Sequence, residues 1–349
     1  MNKLKQGISY DDILLVPRYS EIQSRADIDI SSDLGRGVNL KFPVISSPMD
    51  TISESAMGLA MAKAGGTAVI HRYNTIESQC AHLKVIDNMT PPGSHCDLIM
   101  GAAVGVSGDY LERAQALREQ FVKYICIDVA HGHHIKMKRA LYALRKVLGD
   151  GIHIMAGNVA TVEAFNDLAD WGADSIRVGI GGGSICSTRI QTGHGVPTLQ
   201  SVMECANSDR DAKLIVDGGI RNSGDMVKAF ACGADAAMCG SLLAGTDEAP
   251  GSVYEDVDGS RWKSYRGMAS KEAQIEWHGH YNSHEGVATR VPHRGSVQPI
   301  LRDLEKGIRS GFSYSGASSL PGLQSRASLI SQTPSGLSES HTHIVNRKW

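Results

Sequence analysis

The chain has 349 residues, of which 42% are hydrophobic and 21% are charged, and its formal net charge at pH 7 is −2. This composition is typical of a globular protein with one large domain or two ordinary ones. The lysines and arginines are scattered and form no basic run interleaved with aromatic residues. Charge therefore gives no support to a nucleic-acid or membrane-binding function, and we expect neither partner.

The cysteines and the N-terminal segment bear on the cellular compartment. The segment MNKLKQGISYDD lacks the apolar core of a signal peptide, and no apolar stretch reaches the roughly 18 residues that span a bilayer. The 7 cysteines are an odd number without CxxC or Cys/His ligand spacing. This pattern is typical of reduced thiols rather than of disulfides or structural zinc. We therefore expect a cytoplasmic protein.

Eight short apolar or β-branched runs, most of them followed by a helix-like segment, predict the fold. The runs are PVISS (43–47), GTAVIH (66–71), DLIMGAAV (97–104), YICIDVA (124–130), HIMAGN (153–158), DSIRVGI (174–180), KLIVDGG (213–219) and DAAMCG (235–240). Intervening segments such as 54–65 and 162–173 have apolar residues at helical spacing. Alternating strands and helices predict an α/β fold with a parallel sheet, and eight units in about 250 residues favour a (β/α)8 TIM barrel over a doubly wound sheet. We expect residues 1–349 to form one such domain without a domain-sized insertion.

Two segments depart from a plain barrel. Residues 246–297 form a long excursion between the eighth strand and the next helical pattern. Within it, Asp258-Gly259 predicts a two-residue β-hairpin turn, and the polar, histidine-rich remainder predicts a mobile flap over the barrel mouth. The serine-rich tail from residue 317 onward has little periodicity, and we expect it to pack only within the folded assembly.

Polar side chains and glycines follow the later strands, at the end of the barrel where active sites form. The polar ones are Asp128, Asn158, Cys186 and Asp217. Gly218-Gly219 and Gly240-Ser241 follow the seventh and eighth strands, where exposed backbone N–H groups can approach a phosphate. The alternative interpretation is that the glycines only shape turns and that the aspartates only cap helices.

Cys186 lies in the glycine-rich stretch GIGGGSICST, residues 179–188. A free cysteine is usually a buried core residue, as we expect for Cys126, Cys232 and Cys239. Cys186 differs because it sits in a loop of mostly small residues that would not bury it, and a thiol becomes a nucleophile where its thiolate is stabilised. The glycines also allow backbone carbonyls to converge on a potassium-sized cation. A catalytic thiol and a structural one both remain open at this point.

Seven motifs, in order along nearly the whole chain, resemble the IMP dehydrogenase/GMP reductase family. They are GISYDDILLVP (7–17), SSPMDT (46–51), AGNVAT (156–161), GIGGGSICSTR (179–189), DGG (217–219), YRGM (265–268) and EGVATRVPHRG (285–295). The cysteine loop is the most specific of them. The resemblance implies a (β/α)8 barrel assembled as a homotetramer, with a purine nucleotide (GMP or IMP) as substrate and a nicotinamide dinucleotide as cofactor.

The resemblance also implies a role for each matching residue. Cys186 attacks C2 of the purine to form a covalent thioimidate, while Thr188 and Glu285 relay protons. The positions expected to hold the nucleotide are Ser47, Met49, Asn158, Ser184, Asp217, Gly218, Gly219, Gly240, Ser241, Gly267, Met268 and Ser270. Asp128 and Arg72 are expected beside the cofactor. The carbonyls of Gly181, Gly183 and Cys186, with Glu339 from a neighbouring copy, are expected to bind a monovalent cation, K⁺.

Sequence features divide between the two activities of this family. A dehydrogenase oxidises IMP with NAD and hydrolyses the thioimidate to XMP, whereas a reductase releases ammonia from GMP and reduces the same intermediate with NADPH to IMP. In dehydrogenases an Arg-Tyr pair on a long flap activates the water for hydrolysis. Here the segment 267–285 is short and contains no Arg-Tyr pair, and the most similar dipeptide is His280-Tyr281. The absence of an inserted CBS module after the second strand, and the motifs TRIQTGHG and VMECA, also favour a reductase.

Other motifs favour a dehydrogenase, namely SSPMDT, DVAHGH, GSLLAGT, RVPHRGSV and SESHTH. In addition, Asn282 and His284 stand where typical reductases carry an arginine and a serine. We weigh the missing hydrolytic pair most heavily and expect a GMP reductase, with IMP dehydrogenase as the alternative. A non-catalytic nucleotide-binding barrel is a third alternative, although a mere binder needs none of Cys186, Thr188 and Glu285.

Overall fold

Eight parallel strands close into a barrel. The computed structural model describes residues 4–90, 98–281, 285–340 and 342. The barrel strands are β4 (Val44–Ser46), β5 (Thr67–Ile70), β6 (Met100–Val104), β7 (Tyr124–Asp128), β8 (His153–Val159), β9 (Ser175–Val178), β10 (Lys213–Asp217) and β11 (Ala236–Cys239). Each pairs with the next along the chain, and β11 pairs with β4 to close the barrel. The predicted TIM barrel is therefore confirmed, as is each of its eight strands.

Helices surround the barrel, because the strands need apolar cover on their outer face. They are α1 (Ser55–Lys63), α2 (Ile76–Asn88), α3 (Tyr110–Arg118), α4 (Ile135–Leu148), α5 (Val162–Asp170), α7 (Thr198–Cys205), α8 (Ser223–Ala231) and α10 (Gln298–Tyr314). The short helix α6 (Thr188–Thr192) buries no residue and lies in the connection between β9 and α7. One apolar cluster fills the space between strands and helices, and a second fills the barrel interior. No helix in the described part of the chain is long and apolar enough to cross a membrane.

A short hairpin closes the N-terminal end of the barrel. Strands β2 (Ser32–Asp33) and β3 (Asn39–Leu40) pair antiparallel. Leu34, Val38 and Leu40 of this hairpin are buried and join the interior cluster of the barrel. The opposite end, where the strands finish, is left free to bind a ligand.

The excursion after β11 is built on a three-stranded antiparallel sheet. Its strands are β12 (Tyr254–Glu255), β13 (Arg261–Arg266) and β14 (Ala288–Pro292), with helix α9 (Lys271–His278) between the last two. The hairpin predicted at Asp258-Gly259 is present, but the prediction that its turn has two residues is wrong. Asp256 N donates to Ser260 O at 2.9 Å, which leaves three loop residues, and Gly259 takes the left-handed conformation (φ +80°) that such loops favour.

The C-terminal tail packs against its own chain, so the prediction that it packs only in the assembly is wrong for most of its length. Helix α11 (Leu320–Arg326) buries Leu320 and Leu323, and β15 (Leu329–Ser331) pairs antiparallel with β1 (Ile13–Leu15). Helix α12 (Pro334–Glu339) follows. The periodicity was weak because this part consists of short elements. Asn282 and His284 of the flap, and His341 and His343 of SESHTH, lie outside the described residues.

Candidate active site

A cavity of about 330 Å³ opens at the C-terminal end of the barrel strands, and its volume is within the range of small-molecule sites. Loops from most of the barrel strands, together with the turn after β13 and the start of the return segment at Glu285, line it. Of the residues predicted to form the site, all but Ser270 and Glu339 are among its lining residues. The fold therefore brings together side chains that are widely separated in sequence.

The glycine-rich loop is shaped by close packing. Gly179 has a φ of +147°, and a Cβ there would lie 1.9 Å from the carbonyl oxygen of Asp217. A Cβ on Gly182 would lie 2.0 Å from Thr198 Oγ1. Because real Cβ atoms do not approach other atoms so closely, only glycine allows this loop to rest on β10 and α7. The loop that carries Cys186 therefore packs directly against its neighbours at these two glycines.

Cys186 is partly exposed and lines the cavity. Its thiol donates to Thr188 Oγ1 at 3.2 Å, and its backbone N–H donates to Gly183 O at 3.1 Å. Cys126 and Cys239 are buried as predicted, and burial raises the pKa of Cys126 to about 12. Cys232 is only half-buried, so its prediction as a core residue holds in part.

The return segment of the flap contacts the cysteine loop through its backbone. Ser187 N donates to Glu285 O at 2.9 Å, and Val287 N donates to Ile185 O at 2.9 Å. Gly286 forms an isolated antiparallel bridge with Cys186. Glu285 therefore borders the same cavity as the thiol, and these backbone contacts hold it beside the Cys186 loop.

Arg177, on β9, joins two carboxylates in the floor of the cavity. It donates to Asp128 Oδ1 from Nη1 at 2.6 Å, and to Asp217 Oδ2 from Nη2 at 2.8 Å and from Nε at 3.1 Å. Its side chain is only 7% exposed. Burial alone lowers the pKa of Arg177, but the two carboxylates outweigh burial and hold this pKa well above its usual value. A permanent positive charge therefore aligns both carboxylates.

Asn158, at the end of β8, orients Asp217 from the other side. Its Nδ2 donates to Asp217 Oδ2 at 2.8 Å and to Gly179 O at 2.9 Å. Its Oδ1 is buried and has no hydrogen-bond partner among the described residues. An acceptor in a cavity wall without a partner is available to a hydroxyl or amino group of a ligand.

One end of the cavity presents hydroxyls and glycine turns. Tyr265 Oη lies 3.4 Å from Ser184 Oγ, and both residues line the cavity with Gly219 and Gly240. Burial raises the pKa of Tyr265, so its phenol stays protonated and can donate a hydrogen bond. Neutral hydroxyls and backbone N–H groups are a donor set suited to a phosphate.

The other end of the cavity carries Arg72 and Tyr73, which follow β5. Arg72 Nη2 donates to the carbonyl of Asp128 at 3.2 Å, and its guanidinium lies 5.2 Å from the centroid of the Tyr73 ring. Side chains of alternating charge lie in a row along the floor of the cavity, in the order Arg72, Asp128, Arg177 and Asp217.

Two predicted site residues do not reach the cavity within this chain. Ser270 is fully buried, and its Oγ accepts a hydrogen bond from Ala273 N at 3.2 Å, which caps the N-terminus of α9. Ser270 thus caps α9 in this structure, and its contact with substrate stays a prediction. Glu339 lies at the end of α12, outside the cavity lining.

Arg177, Tyr265 and Tyr73 were not predicted from the sequence. The signal for Arg177 was present, because a charged residue inside the apolar run DSIRVGI must find buried partners. Tyr265 belongs to the motif YRGM, in which only the glycine and the methionine were assigned to the site. Tyr73 has no signal of its own, since aromatic residues after strands are common.

The family model described as the IMP dehydrogenase / GMP reductase domain matches residues 7–343. The chain belongs to this family. It is therefore a purine-nucleotide oxidoreductase of the IMP dehydrogenase/GMP reductase type. A solved structure of GMP reductase from Trypanosoma brucei, a cysteine-to-alanine variant in complex with guanosine 5′-monophosphate, is 31% identical, with a TM-score of 0.90 and 98% of each chain covered.

Relatives bearing either activity name are about equally similar to the chain. An inosine-5′-monophosphate dehydrogenase of Cryptosporidium parvum is 36% identical over 388 aligned positions, covering 97% of this chain and 96% of the relative. A GMP reductase of Leishmania major is 32% identical over 485 positions, covering 99% of this chain and 98% of the relative.

Chain length does not separate the two activities. The alignment with the Leishmania reductase has 485 positions, 136 more than the 349 residues of this chain, so that reductase carries a large extra segment. The alignment with the Cryptosporidium dehydrogenase has 388 positions, only 39 more than this chain. The absence of an inserted module therefore does not distinguish a reductase from a dehydrogenase, and the sequence argument based on it is wrong. The flap is a more informative feature.

Proposed function

We propose that the protein is a GMP reductase, which converts GMP to IMP and ammonia with NADPH as reductant. The observation that carries the proposal is the pairing of a thiol and a hydroxyl, Cys186 Sγ and Thr188 Oγ1 at 3.2 Å, under a flap without an Arg-Tyr pair. The thiol serves both activities of the family, whereas the lack of a water-activating pair favours reduction.

The nucleotide lies with its phosphate at the Tyr265 end of the cavity. Ser184, Tyr265 and the turns at Gly219 and Gly240-Ser241 supply the donors to the phosphate. Asp217, held by Arg177 and Asn158, accepts hydrogen bonds from the ribose hydroxyls. Ser47, Met49, Gly267 and Met268 then line the part of the cavity that is left for the purine.

Cys186 acts on C2 of the purine. Its sulfur forms a bond to C2, the 2-amino group takes up a proton and leaves as ammonia, and C2 remains linked to sulfur as a thioimidate. Thr188 and Glu285, both at the cavity, move the proton to the leaving amine. A hydride then adds to C2, the C2–S bond breaks, and the thiolate returns. The sum is GMP, NADPH and two protons giving IMP, NADP⁺ and ammonium.

The cofactor end of the cavity is lined by Asp128, Arg72 and Tyr73. NADPH supplies the hydride when it is bound there. Asp128 is aligned by Arg177 and can accept from ribose hydroxyls, and Arg72 can pair with a phosphate. The Tyr73 ring offers a flat surface for the nicotinamide. These residues fit a nicotinamide dinucleotide but do not discriminate NADPH from NAD, so the choice of NADPH follows from the proposed direction.

A monovalent cation, K⁺, completes the proposed site. The carbonyl oxygens of Gly181, Gly183 and Cys186 are ligands of the type that K⁺ prefers. Glu339 of a neighbouring copy in a homotetramer adds a carboxylate ligand. Gly183 O accepts from Cys186 N at 3.1 Å and keeps a second lone pair for a cation. Cation binding would brace the loop that carries the thiol.

The flap favours reduction over hydrolysis of the thioimidate. Hydrolysis needs an activated water molecule at C2, so a flap that activates no water leaves the thioimidate available to the hydride. Between Gly267 and Glu285 the chain contains no arginine, so no guanidinium of the flap itself can serve as a base. Arg266, just before it, is engaged with Asp50 and Glu276. The flap helix α9 packs its Trp277 near Tyr73, with ring centroids 6.4 Å apart, which shields the cofactor end from solvent.

IMP dehydrogenase is the second candidate, favoured by the dehydrogenase-like motifs such as SSPMDT and RVPHRGSV. The same thiol then adds to C2 of IMP, a hydride leaves C2 for NAD, and water releases XMP. His280-Tyr281 is the nearest pair that could activate this water. The residues of the cavity serve this reaction equally well up to the thioimidate.

The two candidates predict opposite absorbance changes at 340 nm in potassium buffer. The reductase lowers the absorbance with GMP and NADPH and releases one ammonium per NADPH consumed. The dehydrogenase raises the absorbance with IMP and NAD and forms XMP. Turnover only in the second mixture overturns the proposal in favour of the dehydrogenase. Silence in both, with GMP binding intact by calorimetry, indicates a non-catalytic binder.

A further inference from the structure

Arg266 connects two turns and a helix around the purine end of the cavity. It is the last residue of β13 and directly precedes the Gly267-Met268 turn. Its Nε donates to Asp50 Oδ2 at 2.9 Å, and Nη2 donates to the same oxygen. Its Nη1 donates to Glu276 Oε2 on α9 at 2.5 Å. The side chain is 19% exposed, so these ion pairs are partly shielded from solvent.

The Asp50 contact joins the two turns that face the purine. Asp50 follows Met49 in the turn after β4, and its N–H points to Met268 Sδ at 3.3 Å. In addition, Arg266 N donates to Thr51 Oγ1 at 3.3 Å. The Asp50 carboxylate is only 10% exposed, and its Oδ1 has no hydrogen-bond partner in the described ranges. Its buried charge therefore depends on Arg266, and without that guanidinium the turn must rearrange.

The Glu276 contact holds α9 over the same region. The helix begins after Ser270, which forms a parallel bridge with Gly286, and Gly286 in turn bridges to Cys186. The N-terminal end of α9 is thus attached to the segment that carries Glu285, and its C-terminal half is attached to Arg266. Because Glu276 is 70% exposed, this ion pair adds little to global stability, and its effect is on the position of the helix.

We propose that Arg266 is a positioning residue with two separable effects on the reaction. Through Asp50 it fixes the spacing of the turns that bind the nucleotide, and through Glu276 it fixes α9 and with it Glu285 beside the thiol. The proposal rests on the function proposed above. The first contact acts on binding of the nucleotide in the ground state, and the second acts on proton transfer after binding.

The two contacts predict different kinetic changes. Asp50→Asn removes the charge but keeps the shape, and we expect about a tenfold rise in the KM and Kd for GMP with kcat within about threefold. Glu276→Gln frees α9, and we expect about a fivefold fall in kcat with KM within about twofold. Hydrogen–deuterium exchange in residues 271–278 should also become faster in Glu276→Gln.

Glu272→Gln is the matched control, because Glu272 lies on the same helix and makes no contact with Arg266 among the ion pairs of the described chain. It should keep wild-type kinetics and exchange. Should Asp50→Asn fail to fold, Arg266→Lys replaces it, since lysine keeps the charge but loses the planar fork, and both effects are then expected together.

Both effects are required, and the absence of either one overturns the proposal. The proposal is also overturned if Asp50→Asn and Glu276→Gln change kcat and KM in the same way and both variants have a lower melting temperature that accounts for the change. If the wild-type protein turns over neither substrate pair, the proposed function fails on its own account. The GMP dissociation constant and the exchange rates of α9 then still test the two contacts of Arg266.

Discussion

Arg177 donates two hydrogen bonds to one oxygen of Asp217, from Nη2 at 2.8 Å and from Nε at 3.1 Å. The two residues are 40 positions apart in sequence and stand on neighbouring barrel strands. The third nitrogen of the guanidinium holds Asp128. One buried cation therefore sets the direction of both carboxylates, which in the proposed function face the nucleotide ribose and the cofactor.

Arg177→Lys should lower kcat/KM for GMP by about 100-fold, because a lysine is a point charge and cannot align two carboxylates at once. Steady-state kinetics with varied GMP and varied NADPH measures the loss in each half of the site. Arg210→Lys is the control: Arg210 also pairs with a carboxylate, Asp170, but its side chain is 38% exposed on the surface. A less than twofold effect of Arg177→Lys would contradict the role.

Cys186→Ala should abolish turnover while GMP still binds, because in the proposed mechanism the sulfur forms the bond to C2 and contributes little to affinity. The two measurements are turnover at 340 nm and calorimetric titration with GMP. Residual turnover would remove the thiol from the mechanism.

Thr188→Val should lower kcat by about 100-fold with little change in KM, and Thr188→Ser should restore most of it, because in the proposed mechanism the hydroxyl relays the proton. Thr192→Val is a suitable control, since Thr192 lies one turn further along α6, where its Oγ1 donates to Thr188 O at 2.8 Å and accepts from His194 N at 3.1 Å. Equal kinetics of the Val and Ser variants would indicate a packing role for Thr188.

Gly182→Ala should destabilise the protein by about 1–3 kcal/mol and lower its activity, since the new Cβ would lie 2.0 Å from Thr198 Oγ1. Removing that atom in the double variant with Thr198→Ala should recover part of the loss, which urea unfolding measures as a coupling energy. Gly151→Ala, where a Cβ meets nothing within 4 Å, should be neutral. Additive effects in the double variant would argue against the contact.

Stability should fall as the pH drops from 6.5 towards 4, because of His153. Burial lowers the pKa of this histidine to about 4 from 6.5, so the unfolded chain binds the proton more readily than the folded one over this range. The loss between pH 7.5 and pH 5 amounts to about 2 kcal/mol. His153→Gln should lower stability at pH 7.5 but flatten the slope, whereas His194→Gln, at an exposed site, should leave the slope unchanged. Urea unfolding at several pH values tests this.

Replacing K⁺ by Li⁺ at constant ionic strength should lower kcat by at least about tenfold, since small cations are poorly matched to backbone carbonyls placed for a larger ion. Glu339→Gln should raise the K⁺ concentration for half-maximal activity if a neighbouring copy completes the site. Activity that is independent of the cation would exclude the proposed ion.

The predictions from sequence were most accurate where the signal is local. The strand at 213–219 and the helix at 162–173 could be located because hydrophobic runs and helical spacing repeat over a few residues. The hairpin at Asp258-Gly259 was located, but its loop length depends on the register of β12 with β13, which is a pairing between strands. The tail was misjudged because β15 owes its structure to β1, more than 300 residues earlier.

The sequence by itself determined the barrel, the family and many of the residues that face the cavity, because strand periodicity and the motifs around Cys186 are continuous in the chain. Only the tertiary structure decided which charges meet. Arg266 and Asp50 are 216 residues apart, and no local pattern pairs them. The motif around Ser270 likewise gives no sign that its hydroxyl caps α9. The cause is physical: an ion pair or a cap depends on distance and direction in three dimensions, whereas sequence patterns report mainly which face of an element is buried.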